Sequence, residues 1–255
     1  MTPVLLTETS DNVRVLTLNR PEARNALSSE LLGRLVEALH AAEADADVHC
    51  VVLTGTDPAF CAGVDLKEAG TRGLPAPDVV DPENSVWWVL HAMDTPVIGA
   101  VNGPAITGGL ELALQCTFLV ASERAVFGDT HARVGLHPGG GITGLLPQAV
   151  GLRRAREMSL TGNFVDAAEA HRLGLVNHVV AHDRLLPTAR RLAADIAAGD
   201  PRTVVALNDT YRAVAALPLG DGLALERDRF ATWEYDPAGI EARRRAIQER
   251  GRAQL

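Results

Sequence analysis

Val97-Ile98-Gly99-Ala100-Val101 runs straight into Asn102-Gly103-Pro104-Ala105-Ile106-Thr107-Gly108-Gly109-Leu110-Glu111-Leu112-Ala113-Leu114. Five small or apolar residues in a row suit a strand buried on both faces. Asn102-Gly103 breaks it. Gly108 and Gly109 then lead into an apolar helical run. The stretch therefore reads as strand, glycine turn, helix. The same order occurs upstream, where Cys50–Thr54 is continuously apolar before Gly55 and Phe60-Cys61-Ala62-Gly63-Val64-Asp65-Leu66 follows. Phe118–Ala121 is a third buried-type strand. Toward the amino terminus, Val13, Val15 and Leu16–Leu18 make a strand that Asn19-Arg20-Pro21 ends. Ser28 or Ser29 can cap a helix whose apolar face is Leu31, Leu32, Leu35, Val36 and Leu39. Strands alternating with helices argue for an α/β fold.

Downstream, Asp166-Ala167-Ala168-Glu169 has capping-box spacing, Gly174 suits a helix C′ position, and Val176–Val180 is a short strand. Asp200-Pro201 is an N-cap and N1 pair. Strand patterns almost vanish after about Arg184, so the last quarter should be helical. Gly70–Glu83 is rich in Gly, Pro and Asp and reads as a mobile loop, with a helix resuming near Val86.

The composition excludes several classes. The 255 residues are 47% hydrophobic and 22% charged, as in ordinary globular chains. The most apolar region, Pro96–Ala121, is interrupted by Asn102, Glu111 and Gln115, so no membrane span is expected. Lys and Arg number 24 against 32 Asp and Glu, a net charge of −8. A general nucleic-acid binder would need the opposite balance. The amino terminus shows no basic n-region or long apolar h-region. Cys50, Cys61 and Cys116 are widely spaced, so a cytoplasmic chain without disulfides is expected. The histidines form no HxxxH pair, and no metal site is expected.

Glycines ahead of a helix let backbone N–H groups approach a ligand, and the helix start adds partial positive charge. Two such N–H groups from separate loops could hold a developing oxyanion. Neither glycine segment is a P-loop or a dinucleotide fingerprint. Glu111 lies in the first turn of an apolar helix. It is a solvated residue, a member of a structural ion pair, or a working acid/base. His131 is either a polar packing residue or a proton carrier. Asp65 is a ligand contact or a helix N-cap. Pro138-Gly139-Gly140-Gly141 is a close-approach loop or a flexible helix start. Trp87 and Trp88 point about 100° apart on a helix, so at most one need face a pocket; alternatively both are core or interface residues.

Several segments together resemble the crotonase superfamily, the enoyl-CoA hydratase/isomerase family. They are NRPEARNALS (Asn19–Ser28), FCAGVDL (Phe60–Leu66), VNGPAITGGLELAL (Val101–Leu114), FGDTHARVGLHPGGG (Phe127–Gly141) and LTGNFVDAAEAHRLGLVNHVV (Leu160–Val180). The resemblance implies a spiral of β-β-α units over residues 1–190. It implies a helical trimerisation region over 191–255, and an acyl-CoA thioester as ligand. It places the oxyanion-hole donors on the N–H groups of Ala62 and Gly108. It places the first catalytic glutamate on Glu111 and puts His131 where the family carries its second. Substrate contacts fall on Arg24, Ala26, Ala62, Gly63, Val64, Asp65, Leu66, Gly108 and Gly109. Arg24 is a CoA phosphate contact or a solvated turn residue.

The activity so implied is hydration of a 2-enoyl-CoA. Isomerisation, thioester hydrolysis or decarboxylation on the same scaffold, and plain acyl-CoA binding, are the alternatives. Coenzyme A enters as part of the substrate, with no separate cofactor. A homotrimer or a dimer of trimers is expected, with Phe230, Trp233 and Tyr235 as apolar anchors. Neither nucleic acid nor membrane is an expected partner.

Overall fold

The computed structural model describes residues 2–72 and 85–254. Most of the expected Gly70–Glu83 loop, from residue 73 onward, lies outside them. The chain divides into two compact units, Met1–Asn208 and Asp209–Leu255.

The first unit opens with a hairpin. Leu5–Ser10 (β1) pairs antiparallel with Val13–Leu18 (β2). Asp11 and Asn12 between them have φ of +50° and +62°. Two consecutive left-handed residues make the tight turn that matches strand twist, and Asp and Asn tolerate it. Ser29–Glu43 (α1) follows, capped by Ser28, whose hydroxyl accepts the Leu31 N–H at 3.2 Å. Leu31, Leu35 and Leu39 line its buried face. Next come the fully buried strand Cys50–Gly55 (β3), Leu66–Arg72 (α2) and Val86–Ala92 (α3). Val97–Val101 (β4) is again buried throughout, as its unbroken apolar run required.

The chain then alternates between two sheets. Ala105–Ile106 (β5) joins a small sheet, Gly108–Gln115 (α4) turns back, and Phe118–Ser122 (β6) returns to the large one. Val126–Gly128 (β7) pairs beside β5, with Ile106 opposite Gly128. His131–Val134 (α5), Ile142–Val150 (α6) and Leu152–Thr161 (α7) follow. Val165–Asp166 (β8) closes the small sheet, in the order β5-β7-β8. Ala167–Arg172 (α8) leads to His178–Val180 (β9). The large sheet has the order β1-β2-β3-β4-β6-β9 and is parallel from β2 onward. Asp166 caps α8 through the Glu169 N–H at 2.8 Å, but the Glu169 carboxylate turns to Arg154 and Arg172, so the capping box forms only on one side.

Alternate residues of the large sheet face opposite layers. Val51 and Leu53 join the main core with α1 and α4. Cys50, Val52, Ile98 and Val120 pack beneath Leu185, Ala189 and Ala193 of Leu185–Ala197 (α9). Each such buried aliphatic side chain contributes roughly 1.5–3 kcal/mol. Pro201–Ala215 (α10) begins as expected, with Asp200 accepting the Thr203 N–H at 2.9 Å.

The second unit holds the end of α10, then Leu219–Thr232 (α11) and Pro237–Gln254 (α12). A Cβ on Gly222 would meet Val214 Cγ1 at 2.8 Å, so α11 and the end of α10 pack at glycine distance. Arg229 ties the same two segments, 2.7 Å from Asp209. Phe230, Tyr235, Leu219 and Leu223 stay exposed, while Trp233 is half-buried. No helix among the described residues is long and apolar enough to cross a membrane.

Candidate active site

Two loops meet where the glycine segments predicted a ligand site. The Cys61 loop is sewn to β5: the Cys61 N–H donates to Pro104 O at 3.1 Å and the Ile106 N–H to Cys61 O at 3.0 Å. Gly109 permits the contact, since a Cβ there would lie 2.1 Å from Cys61 O. Gly63 has φ of +92°, and a Cβ on it would lie 2.9 Å from Ile106 O and 3.3 Å from Gly108 N. Glycine is required at both positions for backbone approach.

Their N–H groups divide into engaged and open. The Ala62 N–H, expected as an oxyanion donor, instead donates to Arg24 O at 3.0 Å. That bond removes it from the role. Two residues on, the Leu27 N–H donates to Gly63 O and the Asp65 N–H to Leu27 O, which leaves the Val64 N–H facing the other way. It has no partner among the described residues, and neither has the Gly108 N–H at the start of α4. A Cβ on Gly108 would lie 3.5 Å from Val64 N. The open pair is therefore Val64 and Gly108.

Glu111 is 2% exposed, which removes the solvated-residue alternative. One of its oxygens accepts the Gly140 N–H at 2.8 Å, and a Cβ on Gly140 would strike the same carboxylate and Trp87, each at 2.8 Å. Gly140 is thus a close-approach position within the Pro138–Gly141 segment. Burial raises the Glu111 carboxyl above its ordinary value, and the neighbouring His131 together with the Gly140 and Ile142 N–H groups opposes the rise. Trp87 is buried and its indole N–H donates to Gly108 O at 3.1 Å, whereas Trp88 is exposed against the edge of His91.

His131 faces Glu111, with Nε2 3.8 Å from Glu111 Oε2. Its other ring nitrogen, Nδ1, lies 2.7 Å from Asp129 Oδ1, which also accepts the His131 backbone N–H at 3.1 Å. Asp129 is fully buried. Burial alone would raise its carboxyl, yet the His131 contacts hold it below the ordinary carboxylate value.

Thr107 connects the two halves. Its N–H donates to Gly128 O at 2.8 Å, its Oγ1 lies 2.6 Å from Thr130 Oγ1, and it accepts the Thr130 N–H at 3.1 Å. It does so at φ 54°, ψ −113°. This region favours glycine and costs other residues about 1–3 kcal/mol.

The remaining expected contacts separate. Asp65 accepts the Lys67 and Glu68 N–H groups on one oxygen and pairs with Arg20 through the other at 3.0 Å, so one oxygen caps the start of α2 and the other holds Arg20. Ala26 is half-buried and its carbonyl accepts from Arg20. Arg24 and Leu66 are exposed, and the Arg24 guanidinium has no ion partner among the described residues. Sequence reasoning missed Asp129, Thr107 and Thr130. Only the polar run Asp129-Thr130-His131 after an apolar strand hinted at them. Among the described residues no cluster of three or more His, Cys, Asp or Glu could hold a metal.

The chain is similar to known proteins over most of its length. The family model described as enoyl-CoA hydratase/isomerase matches residues 8–242. The probable enoyl-CoA hydratase of Rhizobium meliloti is 42% identical, over 89% of this chain and 88% of that one. The 2,3-dehydroadipyl-CoA hydratase of Escherichia coli is 39% identical, over 93% and 94%. The crystal structure of enoyl-CoA hydratase from Mycobacterium tuberculosis is 52% identical with a TM-score of 0.77, covering 88% of this chain and 95% of that one. That of Bacillus anthracis superposes with a TM-score of 0.88 at 32% identity, covering 97% and 96%.

Proposed function

The chain belongs to the enoyl-CoA hydratase/isomerase family, and from that premise we propose how its own residues add water to a 2-enoyl-CoA. The observation that carries the reading is the buried Glu111 carboxylate, fixed by Gly140 three residues along α4 from the open Gly108 N–H.

Hydration of an enoyl thioester pushes negative charge onto the carbonyl oxygen as the oxygen of water bonds to C3. The N–H groups of Val64 and Gly108 receive that charge. Each such donor is worth about 2.7–4 kcal/mol where it meets a developing oxyanion. Glu111 takes the proton from the attacking water. Its raised carboxyl brings its basicity closer to the working pH, where a general base contributes about 10²–10⁴-fold. His131, carrying a proton on each ring nitrogen in this step, gives the one on Nε2 to C2 of the enolate. Asp129 holds Nδ1–H, so Nε2 is the nitrogen left for transfer. Passage of the proton from Glu111 to His131 restores the starting state.

Arg24, exposed and without an ion partner among the described residues, is suited to the CoA phosphates. Coenzyme A belongs to the substrate, and no separate cofactor is invoked. The interleaving of the two sheets supports the β-β-α spiral. The exposed Phe230, Tyr235, Leu219 and Leu223 support burial of the second unit's surface in a homotrimer or a dimer of trimers.

The test is loss of enoyl-thioester absorbance with crotonyl-CoA and longer 2-enoyl-CoAs, beside titration with a saturated acyl-CoA. The Asp129–His131 pair also suits water attack on the carbonyl itself, and release of free CoA thiol would reveal that second reading. Saturable hydration without thiol release supports hydratase chemistry. Tight binding with neither reaction would reduce the chain to an acyl-CoA binder.

A further inference from the structure

We propose that Thr107 is a positioning residue that holds the oxyanion donor and the acid/base histidine in register. The inference rests on the assignment of Gly108 and His131 above.

The strands β5 and β7 pair only through Ala105–Phe127 and Ile106–Gly128. Beyond that short ladder the two chains part, one toward α4 and the other toward α5. Thr107 extends the ladder by one step through its N–H to Gly128 O at 2.8 Å. Its hydroxyl then spans to Thr130, 2.6 Å from Thr130 Oγ1 and 3.1 Å from the Thr130 N. The next residue after Thr107 is Gly108, with its open N–H. The next residue after Thr130 is His131. Each threonine thus sits one peptide away from a working group, and the tie joins the two segments at that point.

The backbone strain supports the same conclusion. Glycine would occupy φ 54°, ψ −113° freely. A β-branched residue is stiff at χ1 and is strained there. It also supplies the hydroxyl that reaches Thr130, the residue before His131. Strained residues held by several bonds cluster where geometry serves function. The tie fixes the distance between the group that accepts negative charge and the group that returns the proton.

The experiment compares Thr107→Val, Thr107→Ser, Thr130→Val and the Thr107→Val/Thr130→Val double variant. Each is assayed for crotonyl-CoA hydration and for affinity toward a saturated acyl-CoA, with melting temperature read alongside. Thr107→Val keeps the branched shape and removes the hydroxyl. Its kcat should fall by about tenfold to a hundredfold, because small misplacements of reacting groups are costly. Acyl-CoA affinity should stay within about twofold, since ground-state contacts are untouched. Thr107→Ser should restore most of the rate. The double variant should be no slower than the worse single one, because the tie is broken only once. Wild-type kcat in Thr107→Val, equal losses in Thr107→Val and Thr107→Ser, or additive losses in the double variant would each overturn the proposal. If Thr107→Val fails to fold, Thr107→Gly, which is unstrained at this φ and also lacks the hydroxyl, decides: unchanged kcat there overturns the tie. Failure of the wild-type protein to hydrate, or indifference to Glu111→Gln, would instead sink the hydratase reading and this inference with it.

Discussion

His131 Nδ1 lies 2.7 Å from Asp129 Oδ1, and the Asp129 side chain is sealed from solvent. The carboxylate accepts from the ring and fixes which nitrogen is left for chemistry. The Asp129→Asn variant removes the negative charge that supports a doubly protonated ring and can present an amide N–H to Nδ1, which disfavours the proton there. Turnover should fall by about 10²-fold, within the range of general acid–base contributions, with acyl-CoA affinity unchanged. His131→Ala should cause a similar loss, and the two should be non-additive together. Additive losses would separate Asp129 from the histidine.

Stability should respond to pH with opposite signs at the two buried carboxylates. The folded Asp129 carboxyl is held below its ordinary 3.8. Its contribution is present above that value and is lost as pH falls through the folded one. The folded Glu111 carboxyl is raised above its ordinary 4.5. Its contribution is present below 4.5 and is lost as pH rises through the folded value. Glu111→Gln should therefore gain melting temperature over wild type as pH rises from about 4.5 toward neutrality. Asp129→Asn should lose most at neutral pH and least in acid. Thermal melts across this range check both signs.

Gly140→Ala tests the close approach. The added Cβ would meet the Glu111 carboxylate and Trp87 Cδ1 at 2.8 Å, and neither is free to yield in a packed interior. Overpacking of this kind costs about 1–3 kcal/mol. Melting temperature should fall and kcat should fall with it. A variant with wild-type kcat would show that the carboxylate's position is not critical.

The three thiols should be silent in the folded protein. Cys50, Cys61 and Cys116 are all buried and free, and burial pushes each thiol up to about 12. Thiolate is the reactive form. A thiol reagent at neutral pH should label none of them in the native chain and all three after denaturation. Rapid native labelling of any one would contradict the packing around it.

The large-sheet strands were legible because β3, β4 and β6 are continuous apolar runs, which parallel burial produces. β1 was not legible, since five of its six residues are exposed and carry no alternation. β5, β7 and β8 are too short, at two or three residues each, to show a period. Glu111 was legible as a charge inside an apolar helix. The open N–H of the Phe60 loop lies two residues beyond the expected one. Gly63, at φ +92°, breaks the regular alternation of N–H direction in that loop, so only the register against Arg24 and Leu27 shows which are open. Asp129 was not legible, because its role lies in a ring two positions away and strand composition says nothing of that contact. The threonine tie was hidden for the same reason, since it joins residues 23 positions apart.

In the proposed mechanism the buried Glu111 carboxylate is the base that activates water on an enoyl thioester. Steady-state hydration of crotonyl-CoA by Glu111→Gln, measured beside the affinity of the same protein for a saturated acyl-CoA, tests it most directly. Glutamine keeps the shape and can still accept the Gly140 N–H, but it cannot take a proton. The kcat should fall by about 10²-fold or more with affinity nearly unchanged. Wild-type turnover in Glu111→Gln would contradict this mechanism.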